Sequence, residues 1–232
     1  ENCQIYYTVD GSNPASSPTA MQYFSPITVK DRTNEPNIYS VYAENENSAT
    51  SISRGTGYQQ PPFNVDKATV VRAVAKNSDG LYSDVVSQTY FITSGALSQY
   101  KNMTVVSLVT DPENLFDPDK GIYVTGTQYI NWRNSSDYNP AKSPWDNTGI
   151  SNFFSKGREW ERPAIIQIYE DGQVKHTQNI GIRIHGGASR SHMQKSFNIY
   201  ARADYGVSKF DFNLFDGDLR SENTGKKIKE FD

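Results

Sequence analysis

A strict alternation of isoleucine with glycine or polar residues marks residues 180–185 as a β-strand. Isoleucine occupies the even positions, whereas Gly181, Arg183 and His185 occupy the odd ones. This period of two places the two sets on opposite faces of a sheet. Residues 197–201 repeat the pattern after a stretch rich in small residues. The sequence therefore predicts a strand, a small-residue loop and a second strand.

The loop between these two strands combines hydroxyl groups with cations. Arg190 and Lys195 lie within it, and Arg183 comes shortly before it. Backbone N–H groups and cationic side chains in such a loop can hold a phosphate group. The arginines fit a structural ion pair equally well, and Ser189 fits a contact to the turn backbone equally well. Taken by itself, Lys195 also fits a simpler interpretation, a lysine of the strand whose side chain is exposed to solvent.

The second part of the chain contains several short segments in a fixed order: Thr-Asp-Pro-Glu-Asn-Leu-Phe at 110–116, Gly-Ile-Tyr-Val at 121–124, Glu-Trp-Glu-Arg-Pro-Ala at 159–164, Gly-Ile-Arg-Ile-His-Gly-Gly-Ala-Ser-Arg at 181–190, Gln-Lys-Ser-Phe at 194–197, Tyr-Gly at 205–206 and Phe-Asn-Leu-Phe at 212–215. Together they resemble the spore coat protein H (CotH) kinase family over residues 102–232. The resemblance implies an atypical protein kinase that phosphorylates Ser/Thr with ATP and a divalent metal. It also implies that Lys195 holds the nucleotide phosphates, with Arg183, Arg190 and Ser189 in support.

In that family the catalytic and metal-binding aspartates follow the segments matched here, and they have no counterpart in this chain. We therefore expect no catalytic or metal-binding residue in the chain and no activity from it alone. ATP with Mg²⁺ or Mn²⁺ is expected in the intact parent, and no cofactor is expected to bind this fragment tightly. The resemblance implies an extracellular, cell-surface or spore-coat location in a bacterium.

The first part of the chain is predicted to be an immunoglobulin-like β-sandwich that lacks its first strand or strands. Short strands separated by turns are typical of such a domain. The strands are predicted at 5–9, 27–29, 38–44, 69–75 and 85–92, with turns at 10–14 and 77–80. The segments 5–14, 23–29, 70–75 and 88–92 resemble the chitobiase/β-hexosaminidase C-terminal type of this domain.

The predicted fold class is accordingly mainly β, in two domains. Residues 1–95 form the sandwich, and residues 96–232 form the β-rich N-terminal part of an atypical kinase-like α+β domain. Residues 94–99 are the expected linker. Two function classes follow, namely the nucleotide-facing portion of a kinase with an accessory sandwich, and a non-catalytic surface or spore-coat module that binds proteins or polysaccharide.

Charge and composition argue against several other classes of protein. The net charge is −3, and no basic stripe with aromatic residues is present, so nucleic acid is not an expected partner. No apolar run approaches the ~20 residues of a membrane helix. Cys3 is the only cysteine, and His176, His185 and His192 lack metal-ligand spacing, so no zinc site is expected.

Three other groups of residues admit more than one interpretation. Asp111, followed by Pro112, predicts the cap of a short helix, although Asp111, Glu113, Asp117 and Asp119 could instead bind Ca²⁺ or Mg²⁺. Glu159 and Glu161 have the residue type of an acid/base pair, although a structural role fits the family better. Trp132 and Trp145 lie in a polar stretch, residues 131–150, that predicts a long surface loop. The two rings could contact carbohydrate or protein partners, or they could instead pin this loop to the sheet.

Overall fold

The computed structural model describes residues 3–38, 48–52, 61–92, 100, 103–139, 141, 150–210, 212 and 230–231. The described chain is mainly β and contains two antiparallel sheets. The strands are β1 (Gln4–Thr8), β2 (Met21–Gln22), β3 (Thr69–Lys76), β4 (Val86–Tyr90), β5 (Val105–Val109), β6 (Arg162–Glu170), β7 (Gln173–Ile184), β8 (Phe197–Tyr200) and β9 (Glu230–Phe231). The helices are α1 (Pro112–Phe116) and α2 (Thr127–Arg133), with 3-10 turns at Asn152–Phe154, Arg158–Trp160, Ala188–Ser191 and Ala203–Tyr205.

The first sheet has the order β2-β1-β3-β4. It confirms the predicted strands at 5–9, 69–75 and 85–92, although the last is shorter at Val86–Tyr90. The predicted turns are also confirmed, because Gly11 and Gly80 each adopt a φ of +82° that favours glycine.

The strand predicted at residues 27–29 is wrong, because no strand is present there. Pro26 directly precedes this segment and has no N–H to donate to a ladder. Three alternating residues were also too few to distinguish a strand from an extended loop. The short strand β2 pairs with Tyr6 and Tyr7 of β1 instead. Of the strand predicted at 38–44, only Ile38 lies among the described residues.

The second sheet has the order β5-β6-β7-β8-β9 and contains the predicted hairpin. Ile182 pairs with Ile199, and Ile184 pairs with Phe197. The mainly β fold class is therefore confirmed. The kinase-like character of the second part and the domain division at 95/96 stay predictions, and the linker at 94–99 lies outside the described residues.

The main hydrophobic core lies on one face of the second sheet. Alternate residues of β6 and β7 supply it, which is what the period of two predicted. The segment around Phe153, whose ring is fully buried, covers this face together with Ile122 and Phe210. Burying each isoleucine contributes about 1.5–3 kcal/mol, so this layer holds the sheet in place. The buried isoleucines are Ile166, Ile168, Ile180, Ile182, Ile184 and Ile199.

A buried glutamine joins the two sheets. Strand β4 is an edge of the first sheet, and Gln167 of β6 reaches it with a fully buried side chain. Its Oε1 accepts a hydrogen bond from the Thr89 N–H at 2.9 Å, and its Nε2 donates to the Ser87 carbonyl at 3.4 Å. The Tyr169 hydroxyl donates to the Thr89 carbonyl at 2.7 Å. The carboxamide thus takes the place of a neighbouring strand's peptide group.

We expect Gln167→Leu to destabilise the protein by about 1–3 kcal/mol, because it leaves the buried Thr89 N–H without an acceptor. The Thr89 amide should also exchange its hydrogen faster, as measured by NMR. Gln173→Leu, at an exposed position of β7, is the matched control and should change little. Unchanged protection of the Thr89 amide would contradict this role for Gln167.

Candidate functional site

The loop between β7 and β8 is compact and depends on a glycine at its start. Gly186 has a φ of +101°, and a Cβ at this position would collide with the Ser189 hydroxyl. The loop continues into the 3-10 turn Ala188–Ser191, whose residue Ser189 is exposed to solvent. Of the four predicted phosphate-binding residues, Ser189 is therefore the one at the surface of the loop.

Lys195 is buried beneath this loop, with only 8% of its surface exposed. Its ammonium donates hydrogen bonds to the carbonyls of Ile52 and His192. The same nitrogen lies 4.5 Å from the Phe153 ring centroid and 4.8 Å from the Tyr123 ring centroid, and both rings favour the cation. Burial nevertheless lowers the pKa of Lys195 to about 7. In this arrangement Lys195 holds the loop against the core through these contacts. Its contact with nucleotide phosphates stays a prediction.

Arg190 also holds this loop in place, through hydrogen bonds from its guanidinium to main-chain carbonyls. Its guanidinium donates to the carbonyl of Gly186 and, through Nη1, to those of Phe153 at 3.3 Å and Ser155 at 3.2 Å. Burial lowers the pKa of Arg190 below its ordinary value, and Arg183 lowers it further by charge repulsion. The structure therefore brings Arg190 and Lys195 together at Phe153. Arg190 donates to the Phe153 carbonyl, whereas the Lys195 ammonium lies against the Phe153 ring and donates to the carbonyls of Ile52 and His192.

Arg183 lies elsewhere, on the opposite face of the second sheet from the isoleucine core. Its Nη2 donates to the Tyr200 hydroxyl, and its guanidinium carbon lies 4.2 Å from the Tyr200 ring centroid. The guanidinium carbon of Arg202 lies 4.6 Å from the same centroid. Asn198 also donates to the Tyr200 hydroxyl, at 3.0 Å. One tyrosine thus has two arginines against its ring.

The carboxylate of Glu161 connects these two arginines. Arg202 donates to it from Nε at 2.8 Å and from Nη2 at 2.9 Å, and the Tyr205 hydroxyl donates at 3.0 Å. The Nε of Arg183 lies 3.8 Å from the same carboxylate and, like the buried Asn198 Oδ1, has no hydrogen-bond partner among the described residues. Burial, and then the hydrogen bond to Glu161, raise the pKa of Tyr205 to about 12. The hydrogen bond to Glu161 raises the pKa of Arg202.

Gly181 makes room for this cluster. A Cβ at this position would lie 2.5 Å from Oε1 of Glu161 and 2.7 Å from Cε2 of Tyr205. The alternation in β7 had placed Gly181 and Arg183 on one face, and their partners in β8, Tyr200 and Asn198, lie on the same face. Arg202 continues this period two residues beyond the end of β8. The sequence did not lead us to predict Arg202, Tyr205, Tyr200 and Asn198 as site residues. The period of two nevertheless contained the signal for Asn198, Tyr200 and Arg202.

The remaining candidates have structural contacts. Asp111 precedes α1 and has Pro112 as the first helical residue, as predicted, but its side chain makes no capping hydrogen bond. Its carboxylate instead pairs with Arg72 of the first sheet, because this buried guanidinium offers a stronger, charged partner. Within the described ranges, no group of three or more His, Cys, Asp or Glu residues could hold a metal ion.

The predicted loop at 131–150 is wrong at its start, because Trp132 belongs to α2. The Trp132 ring lies 5.7 Å from that of Tyr129 and 5.1 Å from that of Tyr138, and this local packing supports a helical turn. Trp145 lies outside the described residues. No helix in the part of the chain that the structure describes is long and apolar enough to cross a membrane.

Comparison with known proteins gives information on the first part of the chain. No curated protein and no solved structure matches the chain. A family model described as "Fn3 associated" matches residues 1–90. This range contains β1 to β4, so the match and the antiparallel sheet agree on a β-sandwich-like domain. Residues 1–90 are therefore similar to Fn3-associated domains of the immunoglobulin or fibronectin type III kind.

Proposed function

We propose that residues 96–232 are the nucleotide-facing portion of a CotH-like atypical protein kinase, and that residues 1–95 are an accessory β-sandwich of the chitobiase C-terminal type. The observation that supports the proposal best is the hairpin β7–β8. It carries the small-residue loop, the exposed Ser189 and three cations within one short segment. The proposed ligand of the intact parent is ATP with Mg²⁺ or Mn²⁺, and the proposed location is extracellular, at the cell surface or in the spore coat.

The four proposed nucleotide-binding residues differ in exposure and in the contacts that they make before a nucleotide binds. Ser189 is exposed on the loop and Arg183 is partly exposed on the polar face of the sheet, so each can meet a phosphate group directly from its own side. Arg190 and Lys195 hold the loop in shape, and each must exchange a carbonyl contact for a phosphate contact in order to bind the nucleotide. A charged phosphate contact is stronger than a contact to a neutral carbonyl, which favours such an exchange.

The test is ATP binding by the longer parent protein in the presence of Mg²⁺, measured by calorimetry. We expect Lys195→Ala to weaken binding roughly tenfold to a hundredfold, since a charge-assisted contact contributes about 1.5–3 kcal/mol. The 232-residue chain alone should transfer no radiolabelled phosphate from ATP to a Ser/Thr protein. Unchanged nucleotide affinity together with a large loss of stability in Lys195→Ala would argue against the proposal.

A second candidate function is a non-catalytic surface or spore-coat module that binds proteins or polysaccharide. The burial of Lys195 and Arg190 against main-chain carbonyls favours it, because structural cations make such contacts without any ligand. This candidate predicts that the parent protein has no measurable affinity for ATP with Mg²⁺. Retained binding to isolated cell-surface material by the same preparation would support it.

A further inference from the structure

We propose that Arg183 and Arg202 form a binding site for a phosphate group on the polar face of the second sheet, and that Glu161 is the positioning residue for both arginines. The site shares Arg183 with the proposed nucleotide site, and it rests on that proposal only for the source of the phosphate. Arg202 and Glu161 lie outside the loop between β7 and β8, so the site can be tested separately from that loop.

The balance of charge supports an anion at this site. Two guanidinium groups converge on a single carboxylate, that of Glu161, whose side chain is almost completely buried. The cluster of Glu161, Arg183, Arg202, Tyr200 and Tyr205 therefore carries one excess positive charge. Tyr205 adds no negative charge at neutral pH, because its pKa is about 12. An anion from solution would neutralise the excess.

The arrangement of donors leaves one side of each guanidinium for a ligand. Arg202 uses Nε and Nη2 to bind Glu161, and Arg183 uses Nη2 to bind Tyr200. Among the contacts described for these residues, none involves the Nη1 of either arginine. Their side chains are 25% and 30% exposed, so water and small ligands reach them. The Nε of Arg183 lies 3.8 Å and the Nη2 of Arg202 lies 2.9 Å from the same oxygen, Glu161 Oε2, so the two guanidiniums are close enough to share a ligand.

The chemistry of the donors favours an oxyanion such as phosphate over a single-atom anion. A guanidinium offers parallel N–H groups that match two oxygens of one phosphate, and a single-atom anion cannot use both. Glu161 also raises the affinity of the site. By binding two N–H groups of Arg202, it holds that guanidinium in one orientation before the ligand arrives, which lowers the entropy cost of binding.

The test is calorimetric titration of pyrophosphate into the 232-residue chain at constant ionic strength. We expect Arg202→Lys and Arg183→Lys each to weaken binding roughly tenfold to a hundredfold, because a lysine keeps the charge but loses the fork of donors. Arg158→Lys is the matched control. Arg158 pairs with Asp204 on the exposed surface, so its substitution should leave the affinity within about twofold.

Glu161→Gln tests the positioning role. In the folded variant, pyrophosphate affinity should fall, and the NMR signal of the Arg202 Nε–H should move or broaden because a neutral amide replaces the carboxylate that accepts its hydrogen bond. A variant that loses stability but binds pyrophosphate as tightly as the wild type would assign Glu161 a structural role only and overturn that half of the proposal. Near-UV circular dichroism identifies the folded preparations used in the comparison.

The two proposals fail in different ways. If ATP binds the parent protein while Arg202→Lys and Arg183→Lys leave pyrophosphate binding unchanged, the phosphate site is overturned and the nucleotide proposal stands. If pyrophosphate binds in an arginine-dependent manner but ATP does not bind the parent, the phosphate site stands and the nucleotide proposal is overturned. Absence of binding by both ligands overturns both.

Discussion

Glu161→Gln is expected to lower the free energy of unfolding by about 3 kcal/mol, since breaking a buried ion pair leaves charged groups without their partner. Glu161 is 8% exposed, and Arg202 and Tyr205 donate three close hydrogen bonds to it. The amide of glutamine presents N–H groups to these donors and cannot accept from all of them. Chemical denaturation at pH 7 measures the loss.

A second readout follows from Tyr205. The hydrogen bond to Glu161 contributes to the raised pKa of Tyr205, about 12, so Glu161→Gln should bring this pKa closer to the ordinary value near 10. Ultraviolet titration of tyrosinate detects the change. Glu159→Gln, two residues away and exposed, is the control and should alter stability by less than about 0.5 kcal/mol.

A substitution of Gly181 should also disturb the Glu161 carboxylate, because this glycine lies directly against it. Gly181→Ala places a Cβ 2.5 Å from Glu161 Oε1, so either the carboxylate or Tyr205 must shift. Overpacking of this kind costs about 1–3 kcal/mol. Asn179→Ala changes an exposed residue on the same face of β7 and should cost little. Equal stability of the Gly181 and Asn179 variants would show that the cluster adapts without loss.

Lys195→Met is expected to flatten the pH dependence of stability between about pH 7 and pH 10. Burial lowers the pKa of Lys195 to about 7 in the folded protein, whereas an unfolded chain has a lysine pKa near ~10.4. Between these values the unfolded state binds more protons, so wild-type stability rises with pH. The slope reaches at most about 1.4 kcal/mol per pH unit.

The two carbonyls and two aromatic rings around Lys195 stabilise the ammonium and reduce this slope. Methionine has a similar length and packs well against aromatic rings, so the variant should fold. Urea denaturation from pH 6.5 to pH 9 should give a flatter curve for Lys195→Met than for the wild type. Lys156→Met, at an exposed lysine, should retain the wild-type slope. Parallel curves for wild type and Lys195→Met would show that Lys195 stays protonated throughout.

The sequence alone determined the strands and turns that follow from local chemistry. The period of two predicted β7 and β8 with the correct face for the isoleucines, because successive residues of a strand point to opposite sides. Gly11 and Gly80 predicted turns, since glycine adopts positive φ at little cost. The local pattern predicted the wrong structure at residues 27–29. The alternation there was too short to indicate a strand, and the preceding Pro26 has no N–H for a strand ladder.

Only the tertiary structure decided which side chains meet. Lys195 and Arg183 are both cations of one hairpin in the sequence, yet one is buried on carbonyls and the other lies on the opposite face with Glu161. Gln167 is polar in a strand, yet it is fully buried because the edge of β4 lies beside it. These contacts join residues between 22 and 143 positions apart, and no local period encodes such a separation. Their geometry arises from the packing of one sheet on another and from the segments that cover each face.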